Sequence, residues 1–522
     1  MARLATPGVY LEEKNAFTSS VVAVPTAVPA FIGYTEKAMR GKNSLLNKPT
    51  RITSLNEYVE MFGGGPTITL SLKKKGDVDF GLEVDAPTQY NLFNGIRLFF
   101  ANGGGACYII SVGDYNNGVK AKDLNNPETG GGLQTLLKEQ EPTMVVVPDA
   151  VLLDQADCYS LYQAILQHCG ADTQSRVGVF DVHGGWQERT LDENDVVTKF
   201  REGVGNNFRA FGSGYYPWVN TTIVQADEIS YSNISNVKAL RDLLDREAQL
   251  AIFGSLQDQK PPTKPSGKPP KTPPKAPVAA DPKLQKRYEA VLQEINKLTD
   301  ADADSVSVGQ TLMAISPAFK DVMKEARNVL NVMPPAAGMA GIYSLVDNTV
   351  GVHKSPANVS LSAVVSPTVN LTSENQEDLN MPLSGKAVNA IRSFVGKGVL
   401  VWGARTLDGN SQDWRYISVR RTMIMLEQSI KNSVEAYVFE ANNSKTWLRV
   451  RTSIENFLTD MWKAGSLAGT STTDAYDVQV GLGVTMTPVD ILEGIMKITV
   501  KVAITRPAEF IVITFQQKMQ ES

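Results

Sequence analysis

The side chains with the strongest claim to catalysis are Asp149, Asp154, Asp181 and His183, which follow two apolar runs, 144–147 and 177–180. Ligands of open parallel sheets bind beyond the carboxyl ends of the strands, and carboxylates gathered there can hold magnesium for phosphate transfer. The competing role of Asp149 and Asp181 is to cap and end their elements; this reading is preferred, because a fold resemblance does not make a site. Other reactive groups are sparse. The histidines are His168, His183 and His353, and no HExxH or CxxC pattern occurs, so no dedicated metal site is expected. Three cysteines without metal-type spacing, Cys107, Cys158 and Cys169, read as buried free thiols in a reducing compartment. The glycine runs at 63–65, 103–105 and 130–132 continue into neither a phosphate loop nor a complete GxGxxG, and read as tight turns. In Gly465-Ser466-Leu467-Ala468-Gly469 the serine stands one place too early for a nucleophile elbow. The expectation is a protein that is not an enzyme and uses no cofactor.

The elements that would carry those residues form an α/β unit. A run at 144–147, a helical stripe of Cys158, Leu161, Tyr162, Ile165, Leu166 and Cys169, and a run at 177–180 make a strand–helix–strand crossover in a largely parallel sheet. Further strands are expected at 31–34 and 106–112, with a helix carrying Leu92, Phe93, Ile96, Phe99 and Phe100 between them. At 522 residues the chain should hold two to four domains. Its 42% hydrophobic and 20% charged content are ordinary for a globular protein. A net charge of -4 points to neither nucleic acid nor an anionic membrane as partner. No apolar run is long enough to span a bilayer and no secretory h-region is visible, so synthesis in the cytoplasm without membrane insertion is expected. Between Pro261 and Pro277 eight residues are proline and four are lysine, the composition of an extended spacer. Helices follow it at Leu284–Ile295 and from Pro317, where Ser316 supplies the cap.

The C-terminal third is the most regular part. Met423, Leu426, Ile430 and Val434 form one helical stripe, and Trp447, Val450, Ile454, Phe457 and Met461 another. Around the second lie Lys445, Arg449, Arg451, Glu455, Asp460 and Lys463, either a solvated face or a docking surface. Alternation from Met496 to Ile504 predicts a half-buried strand. The last strand, Glu509–Phe515, is apolar on both faces, with Phe510 and Val512 opposite Ile511, Ile513 and Phe515. A two-faced strand belongs inside a sheet, yet this one ends the chain, so it needs an edge to enter, and that edge can belong to another molecule. Val9, Tyr10 and Leu11, then Val21 and Val22, give the N-terminus a similar apolar arm.

These segments resemble contractile tail sheath proteins, from phage tails and extracellular contractile injection systems. The resemblance rests on Pro7-Gly8-Val9-Tyr10-Leu11-Glu12-Glu13, Met333-Pro334-Pro335, the block from Gly396 to Leu407, Trp414 to Arg421, Met486-Thr487-Pro488 and Arg506-Pro507-Ala508-Glu509-Phe510. Val395 and Lys397 depart from the family's usual proline and arginine. The resemblance implies a mixed α/β, multidomain fold: an N-terminal arm at 1–30, an outer α/β region at 31–385 with the Pro/Lys-rich linker at 258–282, an inner domain at 386–505, and a C-terminal arm at 506–522. It implies stacked hexameric rings around an inner tube, with baseplate and terminal cap proteins as further partners. Strand exchange would use Val9, Tyr10, Leu11, Val21, Val22, Phe510, Ile511, Val512, Ile513 and Phe515, and the tube would face Lys445, Arg449, Arg451, Glu455 and Lys463. Contraction would drive the tube through a target envelope without nucleotide, in a phage tail or a phage-like particle. The alternatives are a baseplate or tail-terminator component sharing this domain, and an α/β metal-dependent enzyme.

Overall fold

A computed structural model describes residues 21–256, 281–300 and 304–513. The chain forms two compact units: a larger one from 27–345 and 356–411, and a smaller one from residues up to 26, 346–355 and 412 onward.

The larger unit is organised by an eight-stranded sheet of β1 (Pro29–Gly33), β2 (Thr50–Ile52), β3 (Cys107–Ser111), β4 (Met144–Val146), β5 (Val177–Asp181), β6 (Gly212–Tyr216), β7 (Asn389–Phe394) and β8 (Gly398–Val401). The spatial order is β8-β7-β6-β5-β4-β1-β3-β2. The inner six strands run parallel and the two edge strands antiparallel, with Phe31 opposite Val146 on one side and Ile109 on the other. β1, β3, β4, β5 and β6 are buried at every residue, as a parallel sheet covered on both faces requires. This explains why their sequences are continuous apolar or small-residue runs rather than alternating ones. β7 and β8 pair into this sheet through Tyr215 opposite Asn389, so the boundary of the compact unit falls at 412, beyond the expected 386.

Helix α1 (Leu92–Ala101), α2 (Gln155–Gln167) and α3 (Val196–Gly203) pack with the sheet. The α2 stripe is buried as its spacing predicts, and Cys169 lies buried in the π-helical turn that follows. A second core in the same unit joins α4 (Val237–Phe253), α5 (Pro282–Asn296), α6 (Ser305–Ile315) and α7 (Pro317–Leu330) to a hairpin of 70–74 and 80–84. Leu70, Leu240, Leu244, Ile295, Leu312, Phe319 and Val322 fill it. The α7 start is capped as expected: Ser316 Oγ accepts the Phe319 N–H at 3.0 Å, satisfying a donor that no helical carbonyl can reach. The Pro/Lys-rich stretch lies outside the described residues apart from its last positions, where Asp281 caps α5.

In the larger unit the strand order reverses between β1 and β4, the place where open α/β sheets receive ligands. Here Gly33 ends β1, and a Cβ on it would stand 2.4 Å from Asp149 Oδ2 and 3.0 Å from Leu92 Cβ. Gly33→Ala should therefore lower stability by about 1–3 kcal/mol through overpacking, read as a shift in the urea midpoint; an unchanged midpoint would show that the carboxylate moves aside freely.

Candidate assembly interface

The residues that sequence singled out for chemistry turn out to hold the fold together. Asp149 is fully buried, accepting the Asn91 N–H at 2.6 Å and the Tyr34 N–H at 3.0 Å. It thus sits at the N-terminus of α1 and fills the reversal point with the protein's own carboxylate. Asp181 is likewise buried and accepts the N–H of Ala336, the first residue of α8 (Ala336–Thr349), at 2.7 Å. Burial pushes Asp149 up to about 6 and Asp181 up to about 7. His183 Nε2 donates to the Leu153 carbonyl at 3.1 Å. The structure does not draw these side chains into one centre, and among the described residues no group of three or more histidine, cysteine or acidic side chains is placed to hold a metal ion. Ser466 Oγ does lie 3.0 Å from His353 Nδ1 in the smaller unit. That serine is buried, and its carbonyl accepts the Thr505 N–H, so it ties its turn to the segment just beyond β10.

The smaller unit contains α9 (Ile417–Val434), α10 (Ser444–Lys463), β9 (Tyr476–Val480) and β10 (Ile498–Val502). Val21, Val352, Met425, Leu426, Val450, Ile454, Phe457, Leu458 and Val478 form its core. On α10 the buried stripe is Val450, Ile454, Phe457 and Leu458, with Trp447 and Met461 half-buried. In α9 the expected single stripe gives way to burial at nine of the ten positions from Ile417 to Leu426, Met423 excepted. Two arginines are included because each has a partner. Arg420 lies over the Trp414 ring, 4.3 Å from its centroid. Arg421 forms two bonds to Asp347, at 2.5 and 3.0 Å, in a pair whose side chains are 4% and 2% exposed. Thr26 joins the same knot: its hydroxyl donates to Asp347 at 2.6 Å, and its carbonyl accepts from Arg421 at 2.9 Å. Breaking a buried pair of this kind leaves an uncompensated charge, so the knot fixes where the N-terminal segment enters the unit.

Of the expected exchange residues, Val9, Tyr10, Leu11 and Phe515 lie outside the described residues. Val21 is buried in the core, whereas Val22 is 75% exposed. Phe510, Ile511, Val512 and Ile513 are 66%, 78%, 89% and 69% exposed and pair with no strand among the described residues. The root of this segment is held: Arg506 meets Asp413 at 3.6 Å, and Tyr416 donates to Glu509 at 2.9 Å. Nearby, β9 and β10 pair antiparallel, Val478 opposite Val500, and among the described residues they form a two-stranded sheet. With Ala503 N–H donating to the Ala475 carbonyl, the alternation of the ladder turns the backbone groups of Ile498, Val500 and Val502 toward the outer edge. An edge of unpaired donors and acceptors is a template for another strand. On α10, Lys445, Arg449 and Lys463 are exposed, while Arg451 pairs with Glu455 on the same helix at 2.7 Å.

Residues 410–518, covering almost all of this unit's C-terminal segment, match the phage tail sheath C-terminal domain. This segment is similar to a tail sheath C-terminal domain. The tail sheath protein of Enterobacteria phage T4 is 26% identical over 155 residues, 30% of this chain and 23% of that one. That of Vibrio phage KVP40 is 24% identical over 221 residues, 41% and 31% respectively. The aligned part thus spans a quarter to a third of those homologous phage proteins. Over the whole chain the fold is similar to the sheath of the PVC extracellular contractile injection system in its contracted state, at 26% identity and a TM-score of 0.57 with 98% of each chain covered. The contracted helical sheath of the anti-feeding prophage gives 27% identity and a TM-score of 0.58, with 98% and 99% covered. No helix among the described residues of this sheath-like chain is long and apolar enough to cross a membrane.

A pH test follows from the buried caps. Because its folded value lies near 7 rather than 3.8, Asp181 contributes most to stability when protonated, and that contribution fades as pH rises through 7. Asp181→Asn stays neutral and keeps the acceptor for Ala336. Its stability relative to the parent should rise between pH 5 and pH 7 by about 1.4 kcal/mol per pH unit, followed by urea unfolding. A difference that stays flat with pH would overturn the assignment.

Proposed function

We propose that this protein is the structural subunit of a contractile tail sheath. Copies polymerise as stacked hexameric rings around an inner tube, and contraction drives the tube through a target envelope. The observation that carries this reading is the pairing, in one small unit, of a two-stranded sheet whose outer edge is unpaired among the described residues and a tethered, exposed apolar segment. Each half supplies what the other lacks. The edge offers hydrogen bonds and the segment offers side chains with apolar surface on both faces, the strand-addition mode of recognition. Full burial stabilises each large side chain by roughly 1.5–3 kcal/mol, and ordering the backbone costs roughly 1–2 kcal/mol per residue. One link is therefore modest, and a lattice gains strength from many. The same Val21-to-Thr26 segment that enters the smaller unit gives the N-terminal arm a fixed root, with Val9, Tyr10 and Leu11 as its exchange residues.

Ring order and partners follow by similarity. A protein of the anti-feeding prophage baseplate, from a 6-fold symmetrised structure, is 27% identical with a TM-score of 0.56, which supports sixfold rings and contact with a baseplate. Lys445, Arg449 and Lys463, with the Arg451–Glu455 pair, are placed toward the tube. Repacking from a trapped extended lattice supplies the work, so no nucleotide is needed, and the carboxylates that would serve an enzyme are committed as caps. The particle is a phage tail or a phage-like injection machine. The baseplate similarity also favours one alternative, a scarce baseplate component; copy number per particle separates a sheath from it.

Deleting residues 506–522 should leave subunits soluble and folded but unable to form long tubes in negative-stain micrographs. Tubes of normal length from that truncation would remove the C-terminal strand from the mechanism.

A further inference from the structure

The loop that leaves the carboxyl end of β5, residues 182–195, carries exposed side chains that the fold does not use. Its first turn is laid against Trp218. Gly185 has no room for a side chain, since a Cβ there would stand 2.6 Å from Trp218 Cδ1. Trp218 Nε1 donates to the Val182 carbonyl at 2.9 Å, and the Trp218 backbone N–H to the Gly185 carbonyl at 3.0 Å. Trp186 follows, edge-on to Trp218 with ring centroids 4.8 Å apart and 47% exposed. Its indole N–H finds no acceptor among the described residues. The next stretch is fixed from beneath. Tyr216 donates to the Gln187 carbonyl at 2.6 Å, and buried Asp195 accepts from Arg189 Nε at 2.8 Å and from the Thr190 N–H at 3.2 Å. Arg189 also donates to Asp378 at 2.8 Å, and its side chain is 2% exposed, so its charge is balanced inside. Trp186, Glu188, Leu191, Asp192 and Glu193 are left facing solvent. The Thr190 hydroxyl and the Asn194 N–H, both at 2.8 Å, hold the Asp192 carboxyl below its usual range, and Lys199 is near enough to favour the same charge. The loop thus presents one aromatic ring beside three carboxylates on a pinned backbone.

A basic, proline-rich chain fits such a surface. Proline rings pack on the aromatic face, the indole N–H donates to a backbone carbonyl, and flanking cations pair with the carboxylates. The chain itself holds one segment of that chemistry. Between 257 and 280, outside the described residues, stand Lys260, Lys264, Lys268, Lys271 and Lys275 against the single acid Asp258, among eight prolines. Polyproline geometry makes a turn in three residues and rises about 9 Å in doing so. In Lys268-Pro269-Pro270-Lys271 that period sets both ammonium groups on one side and turns the prolines to the others. We propose that the 182–195 loop is the docking site for this chain's own Pro/Lys-rich segment, with Pro269 and Pro270 on Trp186 and the two lysines paired to Glu188 and Asp192. The span fits. The segment leaves from α4, whose Glu247 accepts from Ser316 at the start of α7, while Asn331, just past the end of α7, accepts from Thr221, three residues beyond Trp218. Helix α7 is about 21 Å long, whereas residues 257–267 reach about 34 Å and residues 272–280 about 28 Å in polyproline form. A tether of that length also keeps the segment at high effective concentration near its own loop.

The test uses the full chain, dilute and unpolymerised, at low salt. In a second form of it, residues 260–277 are replaced by a Gly/Ser linker of equal length. The probe is a fluorescent synthetic peptide of residues 260–277, followed by anisotropy. The linker form should bind the peptide, and the intact chain should bind it about tenfold more weakly because its own segment holds the site. Within the linker form, Trp186→Ala should weaken binding about tenfold. Glu188→Gln should weaken it about threefold and flatten its salt dependence. Glu188 is exposed, so its variant should keep the parent's melting temperature and separates loss of the site from loss of the fold. No binding by the linker form, or affinity unchanged in both variants, overturns the site. Equal binding by the intact and linker forms overturns the segment of the same chain as occupant, leaving a second copy's segment or another basic chain. Every arm is read on unpolymerised protein, so failure here leaves the sheath reading to its own test, the 506–522 deletion.

Discussion

The hydrogen-bonding demand of a sheet edge governs this molecule. β9 and β10 are five residues each, and a lone hairpin of that size is marginal in water. It persists because Val478, Val500 and Val502 rest on the core led by Phe457 and Leu458, which supports one face; among the described residues no further strand joins this two-stranded sheet. A soluble monomer would normally blunt such an edge with a bulge, an inward charge or a covering loop. The outward backbone positions of β10 carry Ile, Val and Val, with Lys497 before them and Lys501 on the wet face. The edge is therefore left available for pairing, while lysines guard its surface.

Against that open edge, the larger unit is closed. Its parallel strands are buried on both faces, and the position where such sheets usually accept a ligand is filled by Asp149 bonding the backbone of β1's exit and of α1's entry. A carboxylate there does for the helix N-terminus what a bound phosphate would do in a nucleotide-binding fold. The cost is a buried acid whose proton affinity rises. The gain is that two crossover connections are locked without a ligand.

The parallel core was legible in the sequence because it depends on local patterning. Runs such as Met144–Val146 and Val177–Asp181 are apolar throughout, and the two-faced character of Phe510 to Ile513 is visible without coordinates. What escaped depends on pairing across long separations. Gly398–Val401 looks like any buried strand, and only the register of Asn389 opposite Tyr215 assigns its hairpin to the large sheet. The burial of Arg420 and Arg421 was equally hidden, since a helical stripe treats arginine as solvent-facing. Their partners Trp414, Glu427 and Asp347 are what reverse that expectation. The cluster of aromatics and arginines from Trp414 to Arg421 was the available signal.

Tethering decides how an apolar arm behaves before it finds a neighbour. A long free tail with four large exposed side chains would sample many wrong partners, aggregation among them. Here the Arg506–Asp413 and Tyr416–Glu509 contacts align two segments in step, 413 with 506 and 416 with 509. The free length therefore begins only after Glu509. A short tether gives a high effective concentration at any site it reaches and almost none elsewhere. The contacts are polar and partly solvated, weak enough singly to let the arm swing about its root. The buried Arg421–Asp347–Thr26 knot keeps the N-terminal root from moving with it. In the proposed sheath, a strong knot at one arm and a yielding clip at the other would let subunits stay linked while their angle changes.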